Sequence, residues 1–456
     1  MARSVDKLFG TDGIRGKANE HPMVPELLLR VGRAVAHVAG RGKAHAPRIL
    51  IGKDTRLSGY MIETALASGI CAMGGRVILC GPIPTPAVAH LTVDMRADAG
   101  IVISASHNPY DDNGVKVFGA DGFKLPDATE REIERLAQED DNALRTGPGI
   151  GRAEKQEDAR GRYVVFAKST FPRDLTLDGL RVVVDAAHGA AYRVAPMVLA
   201  ELGANVTAIG VKPSGTNINK DCGAMHPDHV RAEVVRRGAH MGIALDGDAD
   251  RVILVDEKGQ VVDGDAVMSM CATHMLEEGT LKKKTVVATV MSNLGLERAL
   301  EAAGATLVRT QVGDRYVVEA MRRGGFNLGG EQSGHLVFLD HASTGDGTVA
   351  ALQVLAVMLR AKKPLSELAA RALERVPQVL HNVTLPARKA LDDMPKLAAH
   401  AAKIERALGK NGRVLVRWSG TEPKLRIMLE GPNEKKLRGW AQELEESARR
   451  DVKSAS

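Results

Sequence analysis

The order of strand-like and helix-like stretches predicts an α/β protein: three consecutive α/β domains with mixed, mostly parallel sheets, followed by a C-terminal α+β domain. Three observations carry this. Short β-branched runs alternate with helical patterns three times over, each time within about a hundred residues, as crossover-connected parallel strands require. From about Val376 the alternation gives way to strand, helix, two strands and a final helix. A chain of 456 residues is too long for one core. The recurrence is architectural, since no letter-for-letter repeat accompanies it.

Taken in order, a glycine-rich loop Phe9–Gly16 opens the chain, followed by a helical pattern at Pro25–Ala39 and a strand at Ile49–Gly52. A helix, a strand at Val77–Cys80, a short helix from about Pro86 and a strand at Ala99–Ile103 continue the alternation. Gly147-Pro-Gly-Ile-Gly151 and the charged run after it read as a linker. The second domain takes Leu180–Asp185 as strand, Ala190–Leu202 as helix, and Met241–Leu245 and Val252–Val255 as apolar runs. The third has strands at Thr285–Thr289, Thr306–Thr310 and Leu336–Leu339, with helical patterns around Glu297, Val318 and Val354. The last has a helix at Ala390–Leu408, strands around Val414 and Ile427, and a helix at Glu434–Arg450. The expected domains are therefore 1–156, 157–257, 258–374 and 375–456.

Composition narrows the function. Hydrophobic residues make up 44% and aromatics only 3%, so the cores must be aliphatic. The net charge is +6, yet acids and bases are interspersed, and no basic block exceeds Lys282-Lys283-Lys284. That disfavours a dedicated nucleic-acid protein and leaves room for a small anionic ligand. Cys71, Cys80, Cys222 and Cys271 lack metal-ligand spacing and read as reduced, mostly buried thiols. No apolar run is long enough to span a bilayer and the start has no signal-peptide core, so the expected location is cytoplasmic, with no membrane partner.

Chemistry concentrates in loops that follow strands. Ala99–Ile103 reads as a buried strand ending abruptly in Ser104-Ala-Ser-His-Asn-Pro109, and Asn113 and Gly114 signal further turns. Ser106 then stands at a carboxyl-terminal strand end, where open α/β sheets do their chemistry. A serine hydroxyl needs a base, a metal or a covalent modification to act, and His107 and Lys116 supply a basic flank suited to a phosphoserine. The same residues also suit a turn that caps its own backbone.

Asp246, Asp248 and Asp250 alternate at the exit of Met241–Leu245. Three adjacent carboxylates repel, and a hard cation such as Mg²⁺ relieves the repulsion. An EF-hand fails, because Arg251 occupies its glycine position and Val252–Val255 is an apolar strand. Glu331, Ser333 and His335 form a polar triplet in a glycine-framed loop, which suits either recognition of sugar hydroxyls or a plain surface loop. Arg417-Trp-Ser-Gly-Thr-Glu-Pro423, with Arg426 beyond it, offers amides and hydroxyls for a phosphate dianion, but is equally a hairpin turn. Arg15 and the group Lys53, Asp54 and Arg56 are either phosphate clamps or turn residues. No P-loop, dinucleotide fingerprint or nucleophile elbow is present.

In this order the four loops resemble those of the α-D-phosphohexomutase superfamily, and the resemblance covers essentially the whole chain. Phe9–Gly16, Gln332 in the sugar loop and Ile103–Pro109 bring it nearest the bacterial aminosugar members. Two departures stand out: Ala249 replaces a common glycine in the metal loop, and Met225 replaces a small hydroxyl residue. The resemblance implies four domains around a central cleft and a reaction converting glucosamine 6-phosphate to glucosamine 1-phosphate through a bisphosphate. By it, Ser106 carries the phosphoryl group and, through that phosphate, joins Asp246, Asp248 and Asp250 in holding one Mg²⁺. Arg251 neutralises the phosphate and Arg15 orients it, while Lys116 and His335 are the acid/base candidates. Glu331 and Ser333 take sugar hydroxyls; Arg417, Ser419, Gly420, Thr421 and Arg426 hold the other phosphate. A hexosamine or hexose 1,6-bisphosphate is the implied activator or intermediate, and a homodimer is compatible with this picture. A phosphoglucomutase or phosphomannomutase is the alternative. A non-catalytic binding homologue is opposed by the intact Ser106, Lys116 and three aspartates.

Overall fold

The uninterrupted apolar runs become inner strands. The computed structural model of the chain describes residues 7–10, 12–140, 144–419 and 424–453. Its first sheet contains β1 (Phe9–Gly10), β2 (Gly13–Lys17), β3 (Arg48–Lys53), β4 (Arg76–Pro82), β5 (Ala99–Ile103), β6 (Asp112–Gly119) and β7 (Arg152–Lys155), in the order β1-β2-β6-β5-β3-β4-β7. Every residue of β5 is buried, as a strand covered on both faces demands. The second sheet contains β8 (Arg181–Asp185), β9 (Asn205–Ile209), β10 (Met241–Leu245), β11 (Val252–Asp256) and β12 (Val261–Val262), in the order β12-β11-β10-β8-β9. The third contains β13 (Thr285–Thr289), β14 (Thr306–Thr310), β15 (Leu328–Gly330) and β16 (Leu336–Phe338).

One device recurs in all three. A central strand runs parallel to a neighbour on one side and is met by an antiparallel strand on the other: β5 by β6, β10 by β11, β15 by β16. The loop joining each pair therefore leaves from the carboxyl end of a buried strand. Those three loops carry Ser106, the aspartates and Glu331.

The chain divides into two packed units. One runs up to Thr289 and includes Val308–Ala372, and so holds most of the three sheets. The other is built from Val290–Leu307 together with the chain from Leu373 onward. In this second unit β17 (Gln378–Thr384), β18 (Arg413–Trp418) and β19 (Lys424–Glu430) form an antiparallel sheet in the order β17-β19-β18. Helices Pro395–Leu408 and Glu434–Lys453 bury Leu397, Ile404, Leu437 and Leu444 against Val383, Leu425, Ile427 and Leu429. Asn293 ties in the inserted segment, donating from Nδ2 to Val376 O (3.0 Å) and Glu430 Oε1 (3.1 Å).

Several expectations need correcting. Asn113 and Gly114 lie inside β6 rather than in a turn: the Asn113 amide is satisfied by Ser58 Oγ at 2.8 Å, which makes it acceptable in a strand. The charged run read as part of a linker is partly β7, a fully exposed edge strand parallel to β4. Charge is what keeps such an edge from pairing further. Strands β9 and β15 and helix Leu365–Ala372 had no counterpart in the sequence reading. All four cysteines are free thiols, three of them buried. Among the described residues no helix is long and apolar enough to cross a membrane.

Candidate active site

Ser106 is 1% exposed and adopts φ +51°, a left-handed backbone that residues with a Cβ seldom take. Its N–H donates to Ser104 Oγ (2.9 Å), and its hydroxyl donates to Asp246 Oδ2 at 2.6 Å. His107 Nδ1 lies 3.3 Å from the same Oγ. Burial, with Arg251 and Arg15 nearby, pushes the His107 imidazole down to about 4, so of the expected basic flank only Lys116 brings charge. The loop is held from behind. Arg56 Nη2 donates to Asn108 O (2.6 Å) and Ser106 O (3.2 Å), and Asn219 Nδ2 donates to Ser106 O (2.8 Å) and Asn108 O (3.0 Å). Arg56 is fully buried and its charge is spent on Asp54, while Lys53 pairs with Glu63, so this group supports the loop and is not an open phosphate clamp. Gly247 completes the support: a Cβ there would stand 2.5 Å from Ser106 O.

Asp246, Asp248 and Asp250 are all buried, and each offers an oxygen within 4.8 Å of the others. Ala249 between them takes φ +58°, the conformation for which a glycine is the easier choice. Lys116, on β6, places Nζ 3.0 Å from Asp248 Oδ2, 3.3 Å from Asp250 Oδ2 and 3.2 Å from Asp12 Oδ2. Burial opposes its charge, but the three carboxylates outweigh burial and raise its pKa well above the ordinary value. Burial and the charges of Asp250 and Asp248 push Asp246 well up; Asp250, although buried, is held well down by Lys116 and His335. Asp248 Oδ1 and Asp250 Oδ1 are buried without a hydrogen-bond partner. Unpartnered oxygens on hard carboxylate donors fit a divalent cation such as Mg²⁺.

The Glu331–His335 loop meets the Asp246–Asp250 loop through a backbone bridge between Arg251 and His335. The His335 side chain lies between Asp250 and Asp314. Its Nδ1 is 3.7 Å from Asp250 Oδ1, and its Nε2 accepts the Gly345 N–H (3.2 Å). Glu331 and Ser333 do stay together: the Ser333 hydroxyl donates to Glu331 Oε2 (3.3 Å), and Glu331 Oε1 accepts the Gly313 N–H (3.1 Å). Arg251 donates its N–H to Asp246 Oδ1 (3.2 Å), with Nε 3.9 Å from Asp250 Oδ1. Arg15 pairs with Asp12 and reaches Ala105 O (3.4 Å).

These contacts close a ring in which acidic and basic side chains alternate. Asp12 meets Lys116, Lys116 meets Asp250, Asp250 faces His335, and His335 Nε2 is 3.7 Å from Asp314 Oδ2. Lys124 then joins Asp314 back to Asp12.

In the second unit Arg417 on β18 stands directly opposite Arg426 on β19. Like charges in register repel, so the pair is suited to an anion between them. Ser419 N–H donates to Lys424 O (2.8 Å), and Arg426 Nη2 lies 3.5 Å from Ser419 Oγ. Gly420 and Thr421 lie outside the described residues.

Comparison with known proteins places this arrangement. The four domains of phosphoglucomutase/phosphomannomutase are matched in chain order by residues 6–144, 162–259, 263–376 and 380–447. The phosphoglucosamine mutase of Sorangium cellulosum is 66% identical over 99% of this chain and 94% of its own, and that of an Anaeromyxobacter species 60% over 97% and 96%. The chain belongs to the phosphoglucosamine mutases of this family. It is accordingly an isomerase of the mutase type. In fold it is similar to a phosphoglucomutase/phosphomannomutase family protein of Burkholderia thailandensis (TM-score 0.80, 24% identity, 98% and 97% of the two chains). It is also similar to an N-acetylphosphoglucosamine mutase of Aspergillus fumigatus (TM-score 0.67, 18% identity, 99% and 97%).

Against this family background, sequence reading passed over Asp12, Thr85, Lys124, Asn219 and Asp314. Thr85 donates its hydroxyl to Asp248 Oδ2 at 2.7 Å. A carboxylate inside the glycine-rich opening loop was the one available signal for Asp12. The others are single polar residues whose partners lie far away in the chain.

Proposed function

We propose that the chain interconverts glucosamine 6-phosphate and glucosamine 1-phosphate through a phosphoserine at Ser106 and glucosamine 1,6-bisphosphate. The supporting observation is the 2.6 Å hydrogen bond from Ser106 Oγ to Asp246 within a buried loop of three carboxylates. The C1 hydroxyl of glucosamine 6-phosphate attacks the phosphoserine phosphorus, the bond to Ser106 Oγ breaks, and the bisphosphate forms. After the sugar reorients, Ser106 Oγ attacks the phosphorus on O6 and that P–O6 bond breaks, restoring phosphoserine and releasing glucosamine 1-phosphate. In the first step the C1 hydroxyl gives up a proton and the departing Ser106 Oγ takes one; in the second Ser106 Oγ gives one up and O6 takes one.

We assign that proton traffic to Lys116 and His335. Lys116, held as an ammonium by three carboxylates, enters as a donor. His335, with Nε2 accepting the Gly345 amide, carries its neutral-form proton on Nδ1 towards Asp250. Arg251 offsets phosphate charge and Arg15 orients the phosphate. Glu331 and Ser333 take sugar hydroxyls; Arg417, Ser419, Gly420, Thr421 and Arg426 hold the phosphate that is not transferred. Asp246, Asp248, Asp250 and the Ser106 phosphate would hold Mg²⁺, which would supply charge withdrawal at phosphorus. The substrate, a charged phosphosugar that does not cross a bilayer unaided, favours a cytoplasmic enzyme supplying UDP-N-acetylglucosamine and cell-wall precursor synthesis.

A mutase assay on glucosamine, glucose and mannose phosphates tests the reading. The highest kcat/KM is expected for glucosamine 6-phosphate. A higher value on either hydroxy sugar moves the chain to the alternative, a phosphoglucomutase or phosphomannomutase.

A further inference from the structure

Two side chains grip the Ser106 loop without being reactants. We infer that Asn219, assisted by Arg56, is a positioning residue that sets the direction of the Ser106 hydroxyl. This rests on Ser106 being the phosphoryl carrier.

The two donors converge on the same two acceptors, the carbonyls of Ser106 and Asn108. The direction of the Ser106 carbonyl is fixed by the backbone torsion ψ of Ser106 itself. Holding that oxygen therefore holds the left-handed backbone from which Oγ reaches Asp246. A residue with a Cβ returns readily from φ +51° to the ordinary regions unless something prevents it. The Asn219 amide is well placed to prevent it. Asn219 is 8% exposed, comes from the loop after β9, and is itself anchored by its N–H on Ala187 O (2.9 Å). Arg56 approaches from the loop after β3, with its charge balanced by Asp54. The grip thus joins the first sheet to the second. A group that must receive and return a phosphoryl gains rate from being held in line, since small displacements of a reacting atom slow transfer strongly.

Asn219→Asp is the informative variant, because aspartate keeps the volume and the tolerance of φ +58° but removes both donors. The full-length variant is loaded with glucosamine 1,6-bisphosphate, and single-turnover phosphorylation of Ser106 is followed by peptide mass spectrometry beside steady-state kinetics. The expected result is a fall of about ten- to hundredfold in phosphorylation rate and kcat, with KM for glucosamine 6-phosphate within about threefold. Asn219→Ala, which removes the donors without adding charge, should fall in the same way and serves if the aspartate variant does not fold. Phosphorylation at the wild-type rate in a folded variant, even with a lowered melting temperature, overturns the inference by reducing Asn219 to a structural role. A change confined to KM overturns it equally. Ser106→Ala is the separate control: full turnover, or phosphate on another residue, defeats the carrier reading and not the grip.

Discussion

Gly247 offers the sharpest test of how closely the Asp246–Asp250 loop and the Ser106 loop are fitted. A methyl group at this position would stand 2.5 Å from Ser106 O, 2.8 Å from Asn219 Nδ2 and 2.9 Å from Ile218 Cδ1. Contacts below 3.0 Å are not tolerated, so in Gly247→Ala the two loops must part by at least about 0.5 Å. Neither nearest neighbour is a flexible chain end: one is backbone and the other is the amide that grips it. Overpacking of this kind costs about 1–3 kcal/mol of stability, which for a unit of this size lowers the melting temperature by roughly 1–4 °C. The same displacement carries Ser106 Oγ off its 2.6 Å bond to Asp246. Misplacing a transferring group by roughly 0.5–1 Å should lower kcat about ten- to hundredfold, or about 1.4–2.7 kcal/mol in the barrier. Turnover of glucosamine 6-phosphate and a thermal melt, run on the same preparation, give both quantities. A folded variant with kcat within about twofold of wild type would show that the loops yield to each other, and the close-fit argument would fail.

Three further outcomes are expected. Chelation should abolish turnover and Mg²⁺ restore it, and Asp248→Asn should weaken metal binding by losing charge at an oxygen donor; undiminished activity in excess chelator would falsify the metal assignment. Asp346 caps helix Gly347–Ala361 through the Thr348 and Val349 amides, yet burial pushes its carboxyl up to about 6. Because the folded value is raised, its contribution to stability is full below the unfolded value of about 3.9 and is lost, by roughly 2–3 kcal/mol, as pH rises through about 6. Asp346→Asn should flatten the melting profile between about pH 4 and 6 relative to wild type, and parallel profiles would contradict the assignment. Arg417→Ala should raise the apparent KM about ten- to hundredfold by removing a charge-assisted phosphate contact, and wild-type kinetics would release Arg417 from that role.

What could be read in the sequence, and what could not, follows from where each residue finds its partners. Ala99–Ile103 and Met241–Leu245 were legible because strands buried on both faces are continuous apolar runs, and a polar loop at such an exit stands out. Ser106 and the three aspartates came with them. β6 was not legible, because Lys116 and Asn113 look like surface residues until Asp248, Asp250 and Ser58 are brought to them. The charged edge strand β7 hid for a related reason, its polarity being set by solvent on an edge and not by a turn. His335 was legible as a candidate but not in its partners, since Asp250, Asp314 and the Gly345 amide come from elsewhere in the chain. Arg56 and Asn219 lie further out of reach, since a donor to a distant carbonyl leaves no local pattern.

The composition of the second unit bears on how the chain is made. Asn293 and helix Leu294–Ala302 leave the ribosome well before Val376 and Glu430, which the Asn293 side chain and the Leu294 amide require. Arg413, which donates to Val290 O at 2.9 Å, emerges between those two. During synthesis the segment Val290–Leu307 must wait without its partners until the last strand, β19, has appeared. Domains that fold in order from the amino terminus are spared such an interval; this one exposes Leu296 and Leu300, both buried in the finished protein, while elongation runs on. A nascent chain stalled before β19 is therefore the form most in need of a chaperone.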